Sequence, residues 1–122
     1  MRPANRKGLR YEDRARAYLQ ARGLQLLQRN FCSRGGEIDL IMRDADTICF
    51  IEVKFRKSLA YGGAASSIPV SKQRKIINTA LFYIAGRKQL ARQPLRFDAL
   101  LIQRQPDGSD RIDWIQNAFY AE

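Results

Sequence analysis

Two neighbouring stretches decide how this chain folds: Gly36-Glu37-Ile38-Asp39-Leu40-Ile41-Met42 and Thr47-Ile48-Cys49-Phe50-Ile51-Glu52-Val53-Lys54. Both are short, mostly apolar and rich in β-branched residues, and the polar Arg43-Asp44-Ala45-Asp46 between them is short enough for a hairpin. With a loop centred on Ala45-Asp46, Ile38 falls opposite Val53, Leu40 opposite Ile51 and Met42 opposite Cys49, which makes one face apolar throughout. Side chains alternate along a strand, so the same register sets Asp39 opposite Glu52 and Glu37 opposite Lys54 on the other face. A slip of one residue would scramble both faces. Ile41 and Phe50 share the acidic face, which predicts that it is partly buried.

Working outward, residues 1–7 read as a flexible basic arm. Leu9, Ala15, Tyr18 and Leu19 then recur at helical spacing and predict a helix over 9–22, stopped by Gly23. Leu24 to Cys32 reads as a strand and Ser33-Arg34-Gly35-Gly36 as a turn. Beyond the hairpin, residues 57–70 are rich in Ser, Gly and Ala and predict a mobile loop. Ser71 is placed to cap a second helix, with Ile77, Ala80, Leu81 and Ile84 as its apolar stripe and Gly86 near its end. Leu95 to Gln103 reads as a buried strand, Pro106-Asp107-Gly108-Ser109 as a turn and Ile112 to Ile115 as a short edge strand. The order αβββαββ describes one mixed α/β domain over 1–122, with a mixed sheet flanked by helices.

The 122 residues, 45% hydrophobic, suffice for one packed core and exclude a two-domain enzyme. A formal charge of +10 favours a polyanion as partner. Histidine is absent, which excludes Ser-His-Asp and Cys-His nucleophiles, histidine-ligated zinc and imidazole proton shuttles. Cys32 and Cys49 are too few and too far apart for a zinc knuckle or a disulfide framework, so they read as reduced core cysteines and suit the cytoplasm. No apolar run is long enough for a signal peptide or a membrane span.

Two carboxylates on facing strands repel, and partial burial sharpens the repulsion. A hard divalent cation, Mg²⁺ or Mn²⁺, offsets it, taking one or two carboxylates, waters and substrate phosphate oxygens. Lys54 projects on the same side, where its ammonium could orient a water or stabilise charge on a phosphate. Patterning alone fits equally well a solvated strand face whose acids pair with nearby arginines. Lys72, Arg74 and Lys75 crowd the start of the second helix, where the macrodipole disfavours cations, and form a candidate phosphate-backbone patch. Arg56, Lys57 and the loop behind them could close over a nucleic-acid strand, with Tyr61 available to stack. Ile76, Ile77, Leu81 and Ile84, with Phe82 and Tyr83, read as core or subunit interface.

Asp39 followed by Glu52-Val53-Lys54 resembles the D…(D/E)xK signature of the restriction-endonuclease-like nuclease superfamily. Glu12, in Gly8-Leu9-Arg10-Tyr11-Glu12, resembles the helix-borne acid of archaeal Holliday junction resolvases. The whole set, with Gly36-Glu37-Ile38-Asp39-Leu40-Ile41, Phe50-Ile51-Glu52-Val53-Lys54-Phe55-Arg56 and Ser71-Lys72-Gln73-Arg74, looks like the YraN family of small bacterial proteins over about residues 8–102. The resemblance implies a restriction-endonuclease-like αβββαβ core, Asp39 and Glu52 as metal ligands, Lys54 as catalytic lysine and Glu12 as an acid reaching the metal directly or through water. It adds Gln73 as an auxiliary polar site residue. Glu37, one strand step beyond Asp39, reads by its position as an auxiliary partner of Lys54 or an arginine rather than a primary ligand. Ile38 stands where the wider superfamily often has proline. The expectation is a metal-dependent endonuclease on DNA, branched DNA by analogy with the resolvases, acting as a possible homodimer. The other reading is a non-catalytic nucleic-acid-binding protein on the same fold.

Overall fold

The Ala45-Asp46 turn, with Ala45 at φ 56°, folds β2 (Gly36–Asp44) back onto β3 (Thr47–Arg56). The register is the expected one where the strands pair: Leu40 faces Ile51, Ile41 faces Phe50 and Met42 faces Cys49. The computed structural model describes residues 6–56 and 68–121. Around the hairpin stand α1 (Arg6–Ala21), β1 (Gln25–Ser33), α2 (Val70–Ala85), β4 (Leu95–Arg104) and β5 (Asp110–Phe119). The five strands form one sheet in the order β1-β2-β3-β4-β5. Only the β3–β4 pair is parallel, and α2 lies in the crossover that joins those two strands.

The two helices cover opposite faces, as the alternation along β3 requires. Cys49 and Ile51 pack with Leu40, Met42, Leu100 and Ile102 against Tyr11, Ala15 and Leu19 of α1. Ile48 and Phe50 pack with Ile41, Phe97 and Ala99 against Ile76, Ala80 and Tyr83 of α2. The result is an α/β sandwich of two helices about a mixed sheet, compatible with a nuclease-like core.

Gly23 ends α1 as expected. Its φ of 96° lets its N–H donate to the Gln20 carbonyl while the Leu24 N–H donates to the Leu19 carbonyl, and Leu24 turns into the same core as Leu19. The helix begins earlier than the periodicity indicates, at Arg6, so residues 6 and 7 of the supposed arm are helical. Ser71 is not a cap: α2 starts at Val70 behind Pro69, whose carbonyl accepts the Gln73 N–H, and no side chain caps it. The buried stripe of α2 is Ile76, Thr79, Ala80 and Tyr83, whereas Leu81 and Phe82 are exposed. Cys49 is a buried thiol, but Cys32 is exposed, so only one of the two is a core cysteine. The edge strand β5 is ten residues long rather than four. Its length is stabilised by Asp98, fully buried in β4, which accepts hydrogen bonds from Arg96, from Trp114 Nε1 at 3.0 Å and from the Asn117 N–H at 3.1 Å. Expectations for residues 1–5, for Lys57 and for Tyr61 and most of the loop over 57–70 lie outside the described residues.

Candidate functional site: a fork between two strands

The ladder between β2 and β3 stops at the Leu40–Ile51 pair, one residue short of the acids. Beyond it each strand keeps only its outer neighbour: Ile38 and Glu37 pair with Phe31 and Cys32 of β1, and Val53 and Lys54 with Leu100 and Leu101 of β4. The expected pairs Ile38–Val53 and Glu37–Lys54 are therefore not formed. Strict alternation would place Ile38 beside Leu40 on the α1 face, yet it packs in the α2 core. The switch coincides with Asn30, which stands in β1 between the partners of Leu40 and Ile38 and takes φ 49°, a conformation asparagine tolerates. Pairing is given up at Asp39, and a side chain replaces the missing main-chain acceptor: Asp39 Oδ2 accepts the Val53 N–H at 2.8 Å.

The fork opens a small pocket of about 160 Å³ lined by Gly36, Glu37, Asp39, Glu52, Lys72, Lys75 and Ile76. Asp39 and Glu52, expected as a strand pair, are likewise outside the ladder but stand close enough there for a side-chain hydrogen bond. Burial, the hydrogen bond and charge of Glu52, and more weakly the charge of Glu12 push the Asp39 carboxyl up to about 9, against the pull of the Val53 N–H. Glu52, 7% exposed, also meets the Lys72 ammonium at 2.6 Å. Burial pulls the Lys72 pKa down, but the hydrogen bond and charge of Glu52, with Asp39 and Glu37 behind it, hold it above the ordinary lysine value. Lys54 is shifted downward: burial lowers it, Lys72 and Arg56 add to the effect, and Glu52 opposes it.

Tyr11, the neighbour of Glu12 on α1, stacks on Phe55 of β3 with ring centroids 3.8 Å apart, and Glu12 lies within electrostatic range of Asp39. Its charge is felt by Asp39, but among the described residues no three acidic, histidine or cysteine side chains gather closely enough to share a metal. Asp39 and Glu52 are hard oxygen donors set close together, so the pair fits a divalent cation completed by water or phosphate oxygens once Lys72 is drawn off Glu52. Glu37 lines the pocket directly. Gln73 does not: its amide donates to the Ile68 carbonyl at 2.7 Å, and with Arg74 it lines a separate groove beside Val70, Ile77, Phe119 and Tyr120. Arg56 ends β3 and is exposed.

The cations at the start of α2 therefore divide. Lys72 and Lys75 belong to the carboxylate pocket and Arg74 does not. The grip of Lys72 on Glu52 was absent from the sequence reading, although a signal existed. Lys72 precedes buried Ile76, Thr79 and Tyr83 at helical spacing, and a lysine on the sheet-facing side of a helix calls for an acid beneath it. Gly36 lets α2 come this close. A Cβ there would stand 3.3 Å from Lys75 Cβ and from Thr79 Oγ1.

A family model described as Uncharacterised protein family UPF0102 matches residues 11–102. The chain is 47% identical to a UPF0102 protein of Nitrosomonas europaea over 98% of each chain. It is 49% identical to one of Psychromonas ingrahamii over 95% of this chain and 91% of the relative. With one of Alcanivorax borkumensis the identity is 44%, over 91% and 89%. The relatives are bacterial, and no helix among the described residues is long and apolar enough to cross a membrane.

Proposed function

The chain belongs to the uncharacterised protein family UPF0102, the family its motifs resemble under the name YraN, and for this member we propose a metal-dependent phosphodiesterase that cuts DNA in the bacterial cytoplasm. The observation that carries the reading is the contact between Asp39 and Glu52 in a pocket that Lys72 and Lys75 also line, with Lys54 in electrostatic range. A folding-only role would not favour two touching carboxylates where the sheet gives up its pairing.

Asp39 and Glu52 would hold Mg²⁺ or Mn²⁺, with Glu12 adding negative charge nearby. A cation bound there would supply Lewis acidity toward a phosphate oxygen and toward a neighbouring water. Asp39 is fixed for this by the Val53 N–H, which donates to its Oδ2. Lys54, whose pKa burial draws down, would orient the attacking water or, as an ammonium, stabilise charge on the phosphate. Arg56 and Lys75 lie where a polyanion backbone would pass. A branched substrate would require two such sites, and hence two copies of the chain.

The test is cleavage of labelled duplex, single-stranded, flap and four-way-junction DNA, and of RNA, in Mg²⁺, Mn²⁺ or EDTA, beside Asp39→Asn and Lys54→Ala. Metal-dependent cutting that both variants lose supports the reading, and the panel identifies the substrate class. One observation favours the binding-only reading: Glu52 is already paired by Lys72, so the pocket is partly neutralised without a metal. Binding that persists in EDTA and in Asp39→Asn, with no cutting under any condition, would decide for it.

A further inference from the structure

Glu52 carries a cation supplied by the chain itself. Lys72 Nζ lies 2.6 Å from Glu52 Oε2, and the two partners are unequally covered, with Lys72 50% exposed and Glu52 almost wholly buried. Lys72 stands on α2 one turn before buried Ile76, and its side chain lines the pocket. Such a pair can be opened by rotating one long side chain, with no movement of the backbone.

Resting on the phosphodiesterase reading, we propose that Lys72 is a phosphate ligand held in reserve: it neutralises Glu52 until metal and nucleic acid arrive together, then gives up Glu52 to the metal and takes the phosphate. Charge governs the exchange. A divalent cation entering alone must displace the ammonium from Glu52 and leave it close to new positive charge, with Lys75 in the same pocket and Lys54 nearby. A phosphate entering alone must draw Lys72 off a buried carboxylate and approach the acid pair itself. When both enter, each removes the penalty of the other. Metal and phosphate binding are then positively coupled through Lys72, and the coupling is reciprocal. The metal is held firmly only when substrate is present. In this role Lys72 is distinct from Lys54, because it acts through occupancy of a metal ligand rather than on water.

The experiment is calorimetric titration of the full chain with Ca²⁺, with and without a short DNA duplex checked intact on a gel, for the wild type, Lys72→Met and Lys72→Arg. Without DNA, Lys72→Met should bind Ca²⁺ at least about fivefold more tightly than wild type, and the gain in Ca²⁺ affinity that DNA produces in the wild type should shrink by a similar factor. Lys72→Arg keeps the charge and should follow the wild type on both counts. Thermal unfolding confirms that each variant is folded, which the exposure of Lys72 favours. If Ca²⁺ affinity in Lys72→Met is unchanged or weaker, or the effect of DNA is undiminished, the reserve role is overturned and the phosphodiesterase reading stands. If no protein binds Ca²⁺ with or without DNA, the reading and the inference fall together.

Discussion

Asp39 accepts the main-chain N–H of Val53 through its own carboxylate, 2.8 Å away, at the point where a β2 carbonyl would ordinarily serve. One side chain therefore does two things: it closes the fork between β2 and β3, and it brings a carboxyl against Glu52. Asparagine can keep the first role, since its carbonyl oxygen accepts the same hydrogen bond, while losing the second. Asp39→Asn should fold normally, lose cleavage and lose the rise in melting temperature that Mn²⁺ gives the wild type. A variant that still responds to Mn²⁺ would remove Asp39 from the metal's ligands.

The same substitution predicts a pH dependence. Asp39 has a folded pKa of about 9 against an ordinary 3.8. Its protonated form is the one favoured by folding, so the stabilisation is complete below the ordinary value and is lost as pH rises toward 9. In EDTA, the stability of Asp39→Asn should overtake that of the wild type progressively from pH 5 to 9, and divalent ions should narrow the gap. Urea unfolding at several pH values measures it, and a constant difference would mean that Asp39 does not titrate as described.

Asp98 is a buried charge with a different purpose. It accepts from the Arg96 guanidinium, from Trp114 Nε1 and from the Asn117 N–H, and Arg96 reaches on to Asp44 at 3.1 Å. Asp98→Ala would leave a guanidinium half-paired and two N–H donors without an acceptor, at a cost of about 3–5 kcal/mol. Urea midpoints and Trp114 fluorescence should show the loss together. Cleavage per folded molecule should stay unchanged, because Asp98 lies outside the carboxylate pocket.

Gly36 makes a further prediction about placement. Gly36→Ala sets a methyl group 3.3 Å from Lys75 Cβ and Thr79 Oγ1, and neither can yield easily, since Thr79 is buried and donates to the Lys75 carbonyl at 2.7 Å. The expected cost is about 1–3 kcal/mol. Because the clash pushes α2 away from β2, Lys72 should move off Glu52, and cleavage at a temperature where the variant is fully folded should fall as well. Unaltered cleavage would mean that the approach of α2 matters for stability alone.

How much of this was legible in sequence depends on which force set each feature. The central register was, because Leu40, Met42, Cys49 and Ile51 must share one face to be buried, and any slip exposes them. The stop at Gly23 was, because a left-handed residue and an apolar Leu24 make a local motif. The fork was not. It arises from Asn30 and Asp39 acting across two strands, and alternation applied to β2 alone carries Ile38 to the wrong face. The start of α2 misled for a related reason: Ser71 has the chemistry of a cap, but Pro69 and the Gln73 amide had already fixed the first turn. Asp39 and Glu52 could be named from pattern, whereas the partner of Glu52 needed the helix to be placed over the sheet.

The last prediction separates cutting from holding. Lys54 sits with its pKa lowered beside Glu52, whereas Arg56 is exposed at the end of β3 and Lys75 lines the pocket mouth. If Lys54 acts on the reacting groups, Lys54→Met should abolish cleavage while DNA affinity changes little. If Arg56 and Lys75 neutralise backbone phosphates, Arg56→Ala and Lys75→Ala should each weaken binding irrespective of sequence. Each should also reduce the slope of log affinity against log salt by about 0.9. Fluorescence anisotropy across a salt series, beside single-turnover cleavage, measures both. Should Lys54→Met reduce the salt slope like the other two and leave any cleavage intact, Lys54 would be one more phosphate contact and the proposed chemistry would lose the group that orients its water.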